Sequence, residues 1–136
     1  VHESCHMDQY EEQTEVVKNY DKQNTILFDN WLEGKNYSIN TISKIINVIK
    51  ELELDCEKRS VEKIKKYKLP ININTYIQKA NCYIFFYDWL KISRNWDNKL
   101  CNNSKVYKNM SKTWYDDYSK IPPKLLNAFK KYSISE

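Results

Sequence analysis

Apolar residues recur at steps of three and four along much of the chain, which is the spacing of one face of an α-helix. The clearest such pattern predicts a helix that runs to about Lys68 and stops before Pro70, because proline disfavours the α conformation in the residue before it. Polar and charged residues fill the positions between, so this helix is expected to pack along one line. Its apolar seam consists of Ile42, Ile45, Ile49, Leu52 and Cys56.

A helical segment is also predicted over residues 8–33, before this helix. A polar stretch near Asp21 predicts a break, after which a second piece begins at Lys22. Gly34 follows at the position where a glycine commonly ends a helix. Residues 1–7 are expected to form a flexible N-terminal arm.

The most aromatic stretch is CYIFFYDWLKISRNWDNKLC, residues 82–101. It extends back to Asn72 or Asn74 as an N-cap, and no proline or glycine interrupts it, so one unbroken helix is predicted. Rings at helical spacing more often form a core than a pocket for a lipid or an amine, so this face is expected to be buried. The face comprises Cys82, Phe86, Trp89, Trp96 and Leu100.

Two further helices are predicted in the last third of the chain. One covers about 104–120 and carries apolar and aromatic residues at helical spacing, namely Tyr107, Met110, Trp114 and Tyr118. Pro122 and Pro123 open the other, which ends near Lys131. A single glycine argues against β-hairpins. The pattern therefore predicts an all-α protein, a single domain over 1–136 with about five helices.

The composition narrows the class of partner. The chain has 136 residues, 41% of them hydrophobic, which is enough for one domain with a core. Twenty lysines but only two arginines carry the net charge of +4, which argues against a nucleic-acid partner read by bidentate arginines. No apolar run is long enough to span a membrane, so no membrane insertion is expected.

An even number of cysteines accompanies three Asn-x-Ser sequons, and the chain begins at Val1. These features predict a secreted, extracellular protein with its signal peptide removed and two disulfides formed. Four free thiols in a cytosolic protein are the alternative. The cysteines are Cys5, Cys56, Cys82 and Cys101, and the sequon asparagines are Asn36, Asn102 and Asn109.

The predicted helices restrict the disulfide pairing. On one unbroken helix Cys82 and Cys101 would lie about 28 Å apart, whereas a disulfide needs Cα atoms within about 7 Å. An antiparallel helix pair about the turn at Leu69 and Pro70 instead places Cys56 opposite Cys82, because each lies thirteen residues from Leu69. Cys56–Cys82 is therefore the predicted bridge, which leaves Cys5–Cys101.

Metal and cofactor chemistry find little support in the sequence. The only histidines, His2 and His6, lie in the expected N-terminal arm. Their neighbours Glu3, Cys5 and Asp8 do not complete the spacing of a closed zinc site, so neither a metal nor a cofactor is predicted.

Catalytic groups are equally scarce. A histidine base would have to come from the arm. Asp116 and Asp117 are adjacent and point in different directions on a helix, and there is no glycine-rich phosphate loop. The protein is therefore not expected to be an enzyme.

The segment 56–68, CEKRSVEKIKKYK, holds six basic and two acidic residues, a surplus equal to the net charge of the chain. A polyanion such as a sulfated glycan is one interpretation, and a solvated helix face is the other. The candidate glycan-binding residues are Lys58, Arg59, Lys63, Lys65, Lys66 and Lys68.

Two families resemble this chain. Trp96, Leu100 and Cys101, with Phe85, Phe86 and Trp89 upstream, resemble the aromatic helix of Duffy-binding-like domains of malaria parasites. Tyr107, Lys108, Trp114 and Tyr118 resemble the return helix of those domains. The likeness covers about 80–120 and departs in the longer Trp89-to-Trp96 spacing and the small number of cysteines. In size, cysteines and tryptophans the chain is more similar to small cysteine- and tryptophan-containing salivary proteins of culicine mosquitoes.

The resemblance implies a secreted, monomeric, all-helical binding protein that acts on the blood or skin cells of a host. Duffy-binding-like domains bind receptors or sulfated glycans, which agrees with the lysine segment. The expected function is attachment to heparan or dermatan sulfate, with effects on host haemostasis or inflammation. The alternatives are a carrier of small host mediators in a helical pocket and an inhibitor of a clotting or complement protein.

Overall fold

The computed structural model describes residues 2–12, 17 and 22–133, and every regular element in that part of the chain is helical. The prediction of an all-α fold is thereby confirmed. The α-helices are α1 His2–Glu12, α2 Lys22–Leu32, α3 Ile39–Lys66, α4 Ile73–Ser93, α5 Ser104–Tyr107 and α6 Pro123–Tyr132, and a 3₁₀ helix spans Asn98–Asn102.

The chain divides into two compact units, which we call unit 1 (Val1–Pro70) and unit 2 (Ile71–Glu136). The boundary falls at the proline that was expected to end the second helical segment. The single domain and the antiparallel helix pair about Leu69 and Pro70 stay predictions. None of the helices in the described residues combines the length and the apolar character needed to cross a membrane.

Unit 1 is built on α3. The Ser38 side chain accepts a hydrogen bond from the Thr41 amide and caps the helix, and the whole predicted seam, Ile42 to Cys56, is buried. Both α1 and α2 pack against α3. The prediction of a flexible arm over 1–7 is wrong for the described residues, because α1 begins at His2 and Cys5 is fully buried.

The ends of α2 follow the sequence pattern. This helix begins at Lys22, as expected, while the predicted break at Asp21 lies outside the described residues. Gly34 has φ +112°, and the Lys35 amide donates to the Asn30 carbonyl at 3.0 Å. This geometry confirms that Gly34 terminates the helix, since a left-handed residue there closes the last turn at low cost only if it is glycine.

Unit 2 forms around α4, which Asn72 caps through the Thr75 amide, as predicted. This helix is buried on nearly every side between Ile84 and Leu90. The 3₁₀ helix, α5 and α6 all contact it. The short helix after Pro122 is also confirmed, and its Leu125 and Phe129 are fully buried.

The prediction of one unbroken helix to Cys101 is wrong. α4 ends at Ser93, and Arg94 takes the left-handed conformation at φ 50° while its amide donates to the Leu90 carbonyl. The chain then turns into the 3₁₀ helix, which buries Leu100 and Cys101. Trp96 lies in the turn and is 44% exposed, so its predicted burial is wrong as well.

The prediction of a helix over 104–120 is also wrong, because only Ser104–Tyr107 are helical. Side chains in the following segment satisfy backbone groups outside a helix. The Asn109 side-chain amide donates to the Lys105 and Val106 carbonyls, and the Tyr115 hydroxyl accepts from the Ser111 amide. Such local bonds compete with the helical ladder.

All four cysteines are buried free thiols. Cys56–Cys82 and Cys5–Cys101 therefore stay predictions. The exclusion of Cys82–Cys101 rested on the unbroken helix and no longer holds. The interaction of its thiol with that of Cys101, followed by burial, raises the pKa of Cys82 far above its usual range.

Candidate functional site

The packing of α1 on α3 creates a group of metal-binding and titratable side chains within unit 1. We call it the histidine–cysteine cluster and define it as His2 and His6 of α1 with Glu53, Cys56 and Glu57 of α3. The residues come together because side chains three and four positions apart lie on one helix face. His2 and His6 form one such pair, and Glu53, Cys56 and Glu57 form the facing set.

The cluster is compact. Glu53 Oε2 lies 3.3 Å from His2 Nε2 and 3.5 Å from His6 Nε2. Cys56 Sγ lies 3.6 Å from His2 Nδ1 and 4.0 Å from His2 Nε2. Although both histidines are near, Glu53 Oε2 is buried and receives no hydrogen bond of good geometry from the described residues.

A second layer of polar groups holds the two imidazoles. His2 Nδ1 is 2.5 Å from Glu57 Oε1, and His6 Nδ1 is 2.8 Å from Gln9 Oε1. The Gln9 side chain is fully buried, and its amide nitrogen donates to the Leu52 carbonyl at 3.0 Å and to Asp55 Oδ2 at 2.7 Å. The amide therefore cannot rotate, and its oxygen must face His6.

The charges in the cluster shift its titrations. The Cys56 sulfur, followed by the Glu53 carboxylate, raises the pKa of His6 to about 11. Cys56, Glu53 and Glu57 raise the pKa of His2 even further. Burial acts to raise the pKa values of Cys56 and Glu53, but the close contacts and positive charges of both histidines outweigh it and lower them.

The expectation that His2 and His6 lack metal-binding partners relied on a flexible arm and considered only Glu3, Cys5 and Asp8. The structure supplies different partners. The potential ligand atoms of His2, His6 and Cys56 all lie within 4.8 Å of one another, as do those of His2, Glu53 and Glu57. In the sequence the two signals are H-x-x-x-H and E-x-x-C-E on separate helices, and nothing local connects them.

Two of the predicted glycan-binding residues are engaged with α1. Arg59 pairs with Glu12 at 2.5 Å and with Asp55 at 2.8 Å. Lys63 pairs with Asp8 at 2.7 Å, and it also donates to the Ser4 hydroxyl. These partners raise the pKa of both basic groups. Arg59 and Lys63 therefore join α1 to α3.

The other four predicted residues, Lys58, Lys65, Lys66 and Lys68, are exposed. Lys65 lies 3.9 Å from Glu62 across the solvated surface, and the Lys66 ammonium lies 5.2 Å from the centroid of the Tyr67 ring. Lys58 and Lys68 form no ion pair with another described residue. The structure thus brings three of these lysines to the last turn of α3 and the residues just after it, with Lys58 about two turns earlier.

Other residues singled out in the sequence lie apart from both groups. Asp116 and Asp117 are exposed in the irregular segment after α5. Two sequon asparagines, Asn36 and Asn102, are exposed, whereas the Asn109 side-chain nitrogen donates two hydrogen bonds to backbone carbonyls. Glycosylation would therefore break hydrogen bonds at Asn109 but, within the described part of the chain, not at Asn36 or Asn102.

Comparisons with protein-family models, with curated proteins and with solved structures found no match to this chain. The assignment of a function therefore depends on the geometry and the charges described above.

Proposed function

We propose that this protein is a secreted, non-enzymatic helical binding module that attaches to sulfated glycosaminoglycans of host cells, such as heparan or dermatan sulfate. The observation that carries the proposal is the group of exposed lysines at the end of α3. Lys65, Lys66 and Lys68 fall within four residues, and Lys58 lies on the same exposed side of the helix as Lys65, seven positions earlier.

A sulfated chain offers many anions at close spacing, so several weak contacts combine into useful affinity. Each lysine–sulfate contact forms at a wet surface, where salt screens it strongly. Binding would release counterions from the polyanion, and the affinity would fall steeply as the salt concentration rises. Lysines in a last turn also interact favourably with the helix dipole, so this stabilising role has to be separated from glycan binding by experiment.

The distribution of charge shows which other surface of the protein could bind a polyanion. Unit 1 has 11 basic and 13 acidic residues, a net charge of −2, while unit 2 has 11 basic and 5 acidic residues, a net charge of +6. On α6 of unit 2, Lys124, Lys130 and Lys131 are exposed, and that helix has no acidic residue. The α6 lysines are therefore the matched control for the α3 lysines.

The test is retention on immobilised heparin at increasing salt. The variant Lys58→Ser/Lys65→Ser/Lys66→Ser/Lys68→Ser is expected to elute with a neutral control protein, since it removes the proposed contacts but no described tertiary packing. The control variant Lys124→Ser/Lys130→Ser/Lys131→Ser should lose much less. The reverse order would move the site to α6. Retention by neither surface at low salt would contradict glycan binding and favour docking on a host clotting or complement protein.

Secretion is supported by the exposure of Asn36 and Asn102 and by the even number of buried cysteines. For the secreted form two pairings compete: the sequence-based Cys56–Cys82 with Cys5–Cys101 on antiparallel long helices, and Cys82–Cys101, which the break after Ser93 allows and which leaves Cys56 reduced. A non-reducing peptide map distinguishes these pairings. An effect on host haemostasis or inflammation would follow from the retention of the protein at the cell surface.

A further inference from the structure

We propose that the histidine–cysteine cluster is a binding site for a divalent transition metal, best suited to Zn²⁺, with His2 Nε2, His6 Nε2, Glu53 Oε2 and Cys56 Sγ as ligands. The proposal goes beyond glycan binding and does not depend on it. The cluster lies within unit 1, and none of the exposed lysines takes part in it.

Three of the separations between the donor atoms can be compared with those of a small tetrahedral site. Zinc bonds of about 2.0–2.1 Å to nitrogen or oxygen and about 2.3 Å to sulfur imply donor–donor separations of roughly 3.3–3.6 Å. The two Glu53–histidine separations are 3.3 and 3.5 Å. The Cys56 Sγ–His2 Nε2 separation of 4.0 Å must shorten by a few tenths of an ångström.

The hydrogen bonds around the imidazoles direct both Nε2 atoms inward, so that loss of their protons presents the lone pairs to a metal. Because the Gln9 nitrogen is committed to two acceptors, the Gln9 oxygen accepts from His6 Nδ1, and Nε2 faces Glu53. Glu57 accepts from His2 Nδ1 in the same way. A carboxylate or amide acceptor behind a metal-binding histidine fixes the ring and its tautomer.

The buried Glu53 Oε2 is directed at the centre of the cluster. It lies 3.3 and 3.5 Å from the two Nε2 atoms, but neither contact has the geometry of a good hydrogen bond. A cation that replaces the imidazole protons among these four atoms would bind this oxygen directly. Two imidazoles, a thiolate and a carboxylate form a borderline donor set that suits zinc better than calcium or magnesium.

Coordination has a defined proton balance. The Cys56 thiol, which lies 3.3 Å from the His2 carbonyl, gives up its proton. Each Nε2 must also bind the metal without a proton, so protonated imidazoles release theirs to solvent. Four protein ligands leave no open position, so the site would be structural and would fasten α1 to α3.

The experiment uses the reduced, full-length chain with Zn²⁺ and Co²⁺ as probes. We expect one Zn²⁺ per chain by calorimetry. Co²⁺ should give the visible bands of a tetrahedral complex and a thiolate charge-transfer band. Zn²⁺ should also protect Cys56 of the unmodified protein against alkylation, while Cys82 and Cys101 serve as internal controls. The alkylation assay needs no variant and therefore does not depend on whether a substituted protein folds.

Variants then identify the ligands. Cys56→Ser should abolish the charge-transfer band, while Cys101→Ser in unit 2 keeps it. Glu57→Gln should weaken zinc binding by about 10–100-fold, as is typical for loss of a group behind a metal-binding histidine, and the exposed Glu51→Gln should have no effect. Absence of zinc binding by the reduced wild type, or equal protection of all four cysteines, would overturn the proposal. A peptide map that places Cys56 in a disulfide in the native protein would do the same.

Discussion

Unit 1 and unit 2 are both helical, but different kinds of contact join their helices. In unit 1, charged and polar side chains connect α1 to α3. Examples are the 2.7 Å pair of Lys63 with Asp8 and the buried Gln9 amide on Asp55. In unit 2, rings pack on rings: Phe86 lies 5.5 Å from Trp96 and 6.0 Å from Phe129, measured between centroids.

Polar residues also occur inside unit 2, and Asn81 connects there mainly to the backbone. The Asn81 side-chain nitrogen donates to the Ser111 and Thr113 carbonyls, both at 3.0 Å, and the Asn81 oxygen accepts from the Tyr118 hydroxyl at 2.5 Å. Asn81 is fully buried, so these bonds fix the irregular segment against α4. Neither partner in such bonds changes charge near neutral pH.

The difference has a physical consequence. Aromatic burial is insensitive to salt, and its magnitude follows the area removed from water. Charged contacts at a surface are weak and are screened by salt, unless a metal ion ties them together. We therefore expect α1 of unit 1 to respond to ions and the core of unit 2 to resist them.

The largest expected effect is Phe86→Ala in unit 2. Phe86 is fully buried against three rings, so its truncation should lower the free energy of unfolding by about 3–5 kcal/mol. Urea titration monitored by circular dichroism measures this. Trp96→Ala is the internal comparison. Because this ring is 44% exposed, its removal should lower the free energy of unfolding by less than half as much. Equal losses would mean that Trp96 is buried in solution, as the sequence had predicted.

The next largest expected change in unfolding free energy is the stabilisation of unit 2 by oxidation of its cysteines. Because the Cys82 thiol interacts with that of Cys101 and both lie in unit 2, mild oxidation is expected to join them, and the closed loop should add about 3 kcal/mol on the chain-entropy model. Peptide mapping identifies the bond, and urea titration with and without reductant measures its contribution. A map that shows Cys56–Cys82 instead would restore the sequence-based pairing and would exclude the zinc site.

A smaller loss is expected for Asn81→Ala. The substitution leaves two carbonyls and the Tyr118 hydroxyl without their buried partner, which should cost about 1–3 kcal/mol. Tyr118→Phe keeps both Asn81–carbonyl bonds but removes the bond to the Asn81 oxygen and the bond that the hydroxyl accepts from the Tyr115 amide, so it should cost no more than Asn81→Ala, about 0.5–1.5 kcal/mol. The free energy of unfolding of both variants tests the order. A larger loss for Tyr118→Phe would show that the Tyr118 hydroxyl, rather than the Asn81 amide, holds the segment.

The sequence predicts elements well where one local pattern decides the outcome. The seam from Ile42 to Cys56 has helical period and a stop at Pro70, and α3 follows it closely. The caps at Asn72 and Gly34 also follow from local chemistry. At Arg94, by contrast, a non-glycine residue takes a left-handed conformation, which helical periodicity alone does not predict.

Long-range pairing is what the sequence does not predict. From the sequence alone, Arg59 and Lys63 are expected to be exposed charges. The structure places α1 beside them, where Glu12 pairs with Arg59 and Asp8 pairs with Lys63. For the same reason the histidine–cysteine cluster was missed, since His2 and Cys56 are 54 positions apart. Neither half of the cluster is a complete ligand set, and only the packing of α1 on α3 joins the halves.

The smallest expected effect concerns the charged contact between α1 and α3. Arg59→Met keeps much of the aliphatic side chain but removes the pairs with Glu12 and Asp55. Because the guanidinium is partly exposed, the loss of unfolding free energy should stay below about 1 kcal/mol at low salt and should vanish at high salt. Lys58→Met is the control, since Lys58 is exposed and forms no ion pair with another described residue; it should be silent at both salt concentrations. Urea titrations of the three proteins at two salt concentrations measure these differences. A loss for Arg59→Met that persists at high salt would show that the side chain acts through packing, and the contrast between a charged unit 1 and an aromatic unit 2 would then fail at the contact where it is expected to be clearest.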